Sequence, residues 1–180
     1  PIHINNKWLM IQFATERLVI KEIIIAEELD ALLSIYTQKE NMQYIQSGEY
    51  DWTLQELEDR YKATNEAGYS KGYGVFAVRL KDENKVIGEA GLFDSFSDPK
   101  KMELGYIIDR AYWNRGYGTE VCLGLIDYAF NRLGCTELIA RMYDQNLASV
   151  RVCEKLGFEH ILTGETPNKK AFREYRKTSI

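Results

Sequence analysis

Three extended segments follow one another in the middle of this chain with no helix between them: residues 73–80, 86–93 and 102–109. That order constrains the fold more than any other feature. Strands joined by turns or short loops pair antiparallel, whereas parallel neighbours need a crossover of a dozen residues or more. The first connection is the turn-rich KDENK at 81–85, and the second is SFSDPKK at 95–101, a loop by composition. A doubly wound parallel sheet is excluded. The expectation is an α/β (α+β) architecture around a central mixed, mostly antiparallel sheet.

The remaining elements fill in around that meander. Residues 15–23 (TERLVIKEI) read as a strand. Residues 26–37 carry Leu29, Leu32, Leu33 and Tyr36 at helical spacing. A second helix is expected over 53–67, where Thr53 and Glu56 form a capping box and Gly68 is the stop. Over 118–133 the residues Cys122, Leu125, Ile126, Ala129, Phe130 and Leu133 make one apolar stripe, ended by Gly134. A strand at 137–143, a short helix at 148–156 closed by Gly157, and strands at 158–163 and 172–180 complete the chain. That is about seven strands and about four helices. The length of 180 residues fits one domain, with 1–14 as an N-terminal extension.

Composition removes several function classes. Asp plus Glu outnumber Lys plus Arg, 27 to 23, for a formal charge of -4. Sequence-independent nucleic-acid binding rests on many Lys and Arg contacts to phosphate, so nucleic acid is not an expected partner. The three cysteines (Cys122, Cys135 and Cys153) are widely spaced, and His3 and His160 are the only histidines. Neither a metal site nor a disulfide framework fits that pattern, and a reduced, cytoplasmic setting does. No apolar run is long enough to span a membrane, and no secretory signal is visible.

Chemistry concentrates at two strand-to-helix junctions. The first is Trp113-Asn114-Arg115-Gly116-Tyr117-Gly118-Thr119. Two glycines one residue apart let a backbone approach a ligand closely. The helix that follows leaves its first N–H groups unpaired and carries a partial positive charge at that end. Together they make a cradle for a pyrophosphate-like anion, to which Arg115 adds a charge. The bland alternative is a turn that only reverses the chain. A dinucleotide fingerprint would need a third glycine where Val121 stands, and a P-loop would need a lysine after Gly118, so both are excluded. The second junction is Asn146-Leu147-Ala148-Ser149. Asn146 is a natural helix cap. Ser149 lies inside the helix with Val152, Cys153 and Leu156 on one face, a hydroxyl on an otherwise apolar side.

Taken together, ELGYIIDRAYWNRGYGTEVCLGLIDYAF and NLASVRVCEKLGFEH resemble the GNAT superfamily of acetyl-CoA-dependent N-acetyltransferases. The branch they are most similar to is the ribosomal-protein N-acetyltransferase-like (RimJ/RimL-type) group. TERLVIKEI resembles its first strand, and NMQYIQSGEYDWTLQELE its variable helical segment. The likeness runs from about Thr15 to the C-terminus. The family pattern at the turn is Gln/Arg-x-x-Gly-x-Gly/Ala, and Trp113 replaces its first residue.

The resemblance implies a sheet splayed at a V between residues 102–109 and 137–143, with the pantetheine arm of acetyl-CoA in the gap. Backbone groups of Tyr106, Ile107 and Ile108 would pair with pantetheine. The N–H groups of Arg115, Gly116, Tyr117, Gly118 and Thr119 would hold the pyrophosphate. Asn146 and Ser149 would face the pantetheine and thioester. The acceptor would be an amine of a protein N-terminus or a small molecule, lying against residues 27–68, where Tyr44, Tyr50 and Trp52 are candidate lining. The reaction needs a neutral amine, a polarised carbonyl and a proton for the leaving thiolate. Many members place a tyrosine acid where Cys153 stands, so Ser149 is the candidate donor, with Tyr143 and Tyr106 in reserve. Plain packing is the alternative for each tyrosine. Glu103, followed by Glu89, is the candidate base; the alternative is that they face solvent on a half-exposed sheet. Dimers are common in this branch, and no residue here demonstrates one. A rival from another class is a non-catalytic CoA-binding sensor or subunit.

Overall fold

A computed structural model describes residues 10–45 and 48–179 of the chain. His3, most of the expected N-terminal extension and the last residue of the expected final strand lie outside them. One sheet contains β1 (Gln12–Ala14), β2 (Leu18–Glu22), β3 (Gly74–Leu80), β4 (Val86–Phe93), β5 (Lys101–Ile108), β6 (Glu137–Tyr143), β7 (Glu159–Glu165) and β8 (Ala171–Thr178). Its spatial order is β1-β2-β3-β4-β5-β6-β8-β7. Every neighbouring pair is antiparallel except β5 with β6, which is parallel. The helices are α1 (Ile25–Tyr36), α2 (Lys39–Met42), α3 (Leu54–Gly68), α4 (Tyr117–Asp127) and α5 (Leu147–Lys155).

The mixed, mostly antiparallel sheet is as expected; the described residues hold eight strands, where about seven were expected, and five α-helices, where about four were. Within the expected strand 15–23, Leu18–Glu22 is strand and residues 15–17 are a turn. Thr15 starts a tight turn between β1 and β2, its N–H bonded to the Leu18 carbonyl at 2.9 Å and its hydroxyl accepting the Leu18 N–H at 3.2 Å. Part of the expected N-terminal extension is therefore an edge strand. The fifth helix, α2, is a single turn too short to read by periodicity. The capping box at Thr53 and Glu56 is formed in full. Gly68, however, is the last residue of α3 and not its left-handed stop. The chain makes one more turn and reverses at Gly72, whose φ is +91°. A side chain at Gly68 would meet the Tyr73 carbonyl at 2.7 Å.

Burial divides the sheet into two faces. β3 is apolar on both, as a strand covered from both sides must be. Phe76 and Val78 point toward α4, with Leu18, Ile20, Leu92, Leu104, Val121, Leu125, Leu138 and Ala140. Val75 and Ala77 point the other way, with Ile107, toward Leu32 and Tyr36 of α1 and Leu57 and Tyr61 of α3. Helix α1 lies mainly against β4 and α3 mainly against β3, with Ile107 of β5 at the margin of their apolar cluster. Further along the same face, Glu103, Arg141, Glu174 and Arg176 are half-buried or exposed.

Candidate active site

β5 and β6 pair only from Lys101 with Glu137 to Leu104 with Ala140. Beyond that, β5 stays with β4 as far as Ile108, and β6 stays with β8 as far as Tyr143. The two halves of the sheet part company over residues 105–108 and 141–143. The Asp109 N–H reaches the Ile87 carbonyl at 2.8 Å. Alternation along an antiparallel pair then turns the peptide groups of Ile107 toward β4 and those of Tyr106 and Ile108 toward the gap. Trp113, the residue that departs from the family pattern, donates its indole N–H to the Ile108 carbonyl at 2.7 Å. Tyr106 thus offers both its N–H and its carbonyl across the gap, Ile108 offers its N–H, and Ile107 offers neither.

The glycine turn opens at the end of this gap. Asn114 and Gly116 are both left-handed, with φ of +60° and +81°. The first backbone bond into the helix is from the Glu120 N–H to the Gly116 carbonyl. The N–H groups of residues 115–119 have no backbone acceptor among the described residues, which is the arrangement an anion requires. Gly118 is needed for a different reason. A Cβ there would lie 3.1 Å from the Tyr106 ring and 3.2 Å from its hydroxyl.

Tyr106 links this turn to α5. Its hydroxyl sits where α4 and α5 cross, among Cys122, Ser149 and Cys153. Burial drives its ionisation well above the usual tyrosine range, and a hydrogen bond with Ser149 offsets only part of that rise. The group therefore keeps its proton at physiological pH. Burial also pushes the Cys153 thiol up, to about 12. Asn146 caps α5, its side-chain oxygen accepting the Ser149 N–H at 3.3 Å, which leaves its NH2 group available to a ligand.

The two candidate glutamates lie on the same face of the sheet. Glu89 stands opposite Ile107, and Glu103 opposite Phe93. Their surroundings differ. Glu89 is buried, and its carboxylate accepts from the Tyr36 hydroxyl at 2.7 Å, the Tyr61 hydroxyl at 2.5 Å and Arg60 Nη2 at 3.3 Å. Glu103 sits where β5–β6 pairing is about to end, and among the described residues only Arg141 Nη1 comes within ion-pair range, at 3.8 Å.

Sequence reading missed several of these partners. Arg60 carried a signal, since it lies between Leu57 and Tyr61 at i+3 on a buried stripe. Arg17 carried none. From the β1–β2 turn it reaches α4, where the Glu120 carboxylate accepts from Arg17 Nε at 2.7 Å, the Arg17 N–H at 2.7 Å and the Thr15 hydroxyl at 2.6 Å. Burial alone would raise the Glu120 carboxyl; these hydrogen bonds outweigh it and hold the group below its ordinary value.

Residues 17–159 match the family model described as acetyltransferase (GNAT) domain. The chain is 24% identical to the uncharacterized N-acetyltransferase p20 of Bacillus licheniformis, covering 81% of this chain and 80% of that one. It is 27% identical to the uncharacterized N-acetyltransferase YnaD of Bacillus subtilis, over 79% of each. Among solved structures, a GNAT-family acetyltransferase from Bacillus anthracis superposes with a TM-score of 0.82 at 21% identity, covering 93% of this chain and 98% of that one. A ribosomal-protein-S5-alanine acetyltransferase from Vibrio fischeri superposes with a TM-score of 0.79 at 17% identity, over 93% and 96%.

Proposed function

The chain belongs to the GNAT family of acetyltransferases, and from that premise we propose that it takes an acetyl group from acetyl-CoA and delivers it to a primary amine. The observation that carries the reading is the loss of β5–β6 pairing after Leu104, at the mouth of a turn whose N–H groups have no backbone acceptor among the described residues. Acetyl-CoA supplies an acetyl thioester, activated toward attack by an amine. The chain supplies the rest. Peptide groups of Tyr106 and Ile108 hold the pantetheine amides in the gap, in place of the missing strand partner. The N–H groups of Arg115, Gly116, Tyr117, Gly118 and Thr119 hold the diphosphate, and the Asn146 NH2 group meets the arm.

Glu103 is the better base. General-base work needs a carboxylate with a free lone pair and access to the amine, directly or through one water. Glu103 has both on the open part of the sheet face; Glu89 is already engaged by three donors. Glu89 is instead the tie that holds α1 and α3 against β4. Ser149 is the proton donor to the departing thiolate, and Tyr106, its protonated neighbour, holds that hydroxyl in place. The base then lies on one face of the sheet and the donor on the other, so the amine and the thiol are served from opposite sides of the gap.

The acceptor lies against α1–α3, where Trp52 packs edge-on against Tyr36 with ring centroids 5.2 Å apart. It is an amine of a protein N-terminus or a small molecule. We place the enzyme in the cytoplasm as one acetyltransferase domain, a setting that suits three free, buried cysteines. No helix among the described residues is long and apolar enough to cross a membrane.

Calorimetry with acetyl-CoA tests the donor, and absence of binding at millimolar ligand would sink the reading. Gly118→Val should weaken that binding by driving a methyl into Tyr106. Ser149→Ala should lower turnover more than affinity. The non-catalytic alternative draws on Cys153, a poor acid where many relatives place a tyrosine. Thiol release from acetyl-CoA across a panel of amines separates the two readings.

A further inference from the structure

The anion-binding turn has a charge problem. Glu120 stands in the first turn of α4, directly behind the N–H groups proposed to hold the diphosphate. A carboxylate at a helix N-terminus stabilises the helix itself, but a second anion brought to the same end would be repelled by it. The β1–β2 turn places a cation there. Arg17 Nε is 2.7 Å from Glu120 Oε2. Arg17 Nη1 donates to the Arg115 carbonyl at 3.0 Å, and the guanidinium lies over the Tyr117 ring, 4.2 Å from its centroid. Its remaining nitrogen, Nη2, would lie 3.4 Å from a Cβ built on Gly116. One side chain therefore touches residues 115, 117 and 120, and stands beside 116, in a turn it is nowhere near in sequence.

We propose that Arg17 is the positioning residue that makes this turn accept a diphosphate. It cancels the Glu120 charge, fixes the Arg115 carbonyl on the side away from the N–H groups, and leaves a net positive end for the nucleotide half of the donor. Arg115 does not take this part, since its guanidinium leans over Tyr112 with 5.4 Å to the ring centroid. The fork matters as well as the charge. Arginine can bond a carboxylate and a carbonyl from one plane, and lysine cannot. This inference rests on the acetyl-CoA reading and deepens it: the donor is recognised by its diphosphate through Arg17, and the acetyl-pantetheine end is recognised without it.

The test is a double-mutant cycle on the full chain. Dissociation constants are measured by calorimetry for acetyl-CoA and for 3′-phosphoadenosine 5′-diphosphate, which carries the diphosphate but no pantetheine. Arg17→Ala should weaken both ligands by the same factor, about tenfold for one uncompensated charge near the site. Glu120→Gln should cost little or tighten binding. Arg17→Ala with Glu120→Gln should recover most of the loss, because the repelling charge is gone. Arg17→Lys should fall between wild type and Arg17→Ala. A purely structural tie predicts another pattern, in which Arg17→Ala and Glu120→Gln weaken binding equally and the double variant recovers nothing; that result overturns the proposal. So does an unchanged affinity in Arg17→Ala with a normal melting temperature. If the wild-type chain binds neither ligand, the donor reading fails instead, and the two failures are told apart by that control.

Discussion

Glu89 and Glu103 are the same residue type on the same face of one sheet, on strands that are neighbours, yet they live in opposite circumstances. Glu89 lies under α1 and α3, 5% exposed, with two tyrosine hydroxyls and an arginine on its carboxylate. Glu103 lies beyond the edge of those helices, with one distant arginine. Position relative to the helical cover decides which carboxylate can do chemistry. A buried charge is tolerated when it is paired and hydrogen-bonded, and a carboxylate closed in by three donors leaves a substrate no approach. A carboxylate beside an open gap can remain incompletely satisfied because water completes it.

The sharpest way to break this comparison is Glu89→Ala. Removing the carboxylate strands the Arg60 guanidinium, whose Nη1 is already buried without a hydrogen-bond partner among the described residues, and leaves two buried hydroxyls without their acceptor. Breaking a buried pair by deleting one member costs about 3–5 kcal/mol. Urea unfolding should show a midpoint lowered accordingly with an unchanged slope. A loss under about 1 kcal/mol would mean that Glu89 does not tie the helices to the sheet.

Glu103→Gln should do the reverse. The side chain is partly exposed and weakly paired, so thermal stability should stay within experimental scatter. Turnover should fall by roughly a hundredfold or more, the usual contribution of a general base. If instead Glu89→Gln removes turnover while Glu103→Gln does not, the roles are exchanged and the argument from burial fails.

The period-2 pattern made the shared face of each glutamate legible within its own strand. What could not be read was the register between the strands, because the connection from β4 to β5 has no fixed turn geometry, and a slip of one residue inverts a face. The consecutive strands, the apolar stripe of α4 and the capping box at Thr53 were legible because each is a local signal. The β1–β2 turn was not, since Thr15, Glu16 and Arg17 include no glycine, proline or asparagine; a threonine hydroxyl closes it. The same holds for the gap. Residues 102–109 read as one strand, and only the tertiary course of β6 shows that its second half loses a partner. Arg17 and Glu120 are 103 residues apart, and neither breaks a local pattern that would have marked it.

The smallest expected effect concerns one hydroxyl of the Glu89 cluster. Tyr61→Phe removes one of three donors and should cost about 1.5–3 kcal/mol at neutral pH, the net worth of a hydrogen bond to a charged group. Its pH dependence is more telling than its size. Burial first, then the Glu89 charge, push the ionisation of Tyr61 far above the ordinary tyrosine value. Folded Tyr61 therefore holds its proton past the point, near pH 10, where unfolded Tyr61 loses it. Below that pH both states are protonated and the contribution is flat. Above it the unfolded state releases a proton that the folded state retains, so wild-type stability falls by about 1.4 kcal/mol per pH unit from this group. Tyr61→Phe has no such proton. The stability gap between wild type and variant should consequently narrow above about pH 10 and close between about pH 11 and 12. A gap that stays constant from pH 8 to 11 would show that the tyrosine is not shielded as its burial requires, and Glu89 would lose its claim to be the closed member of the pair.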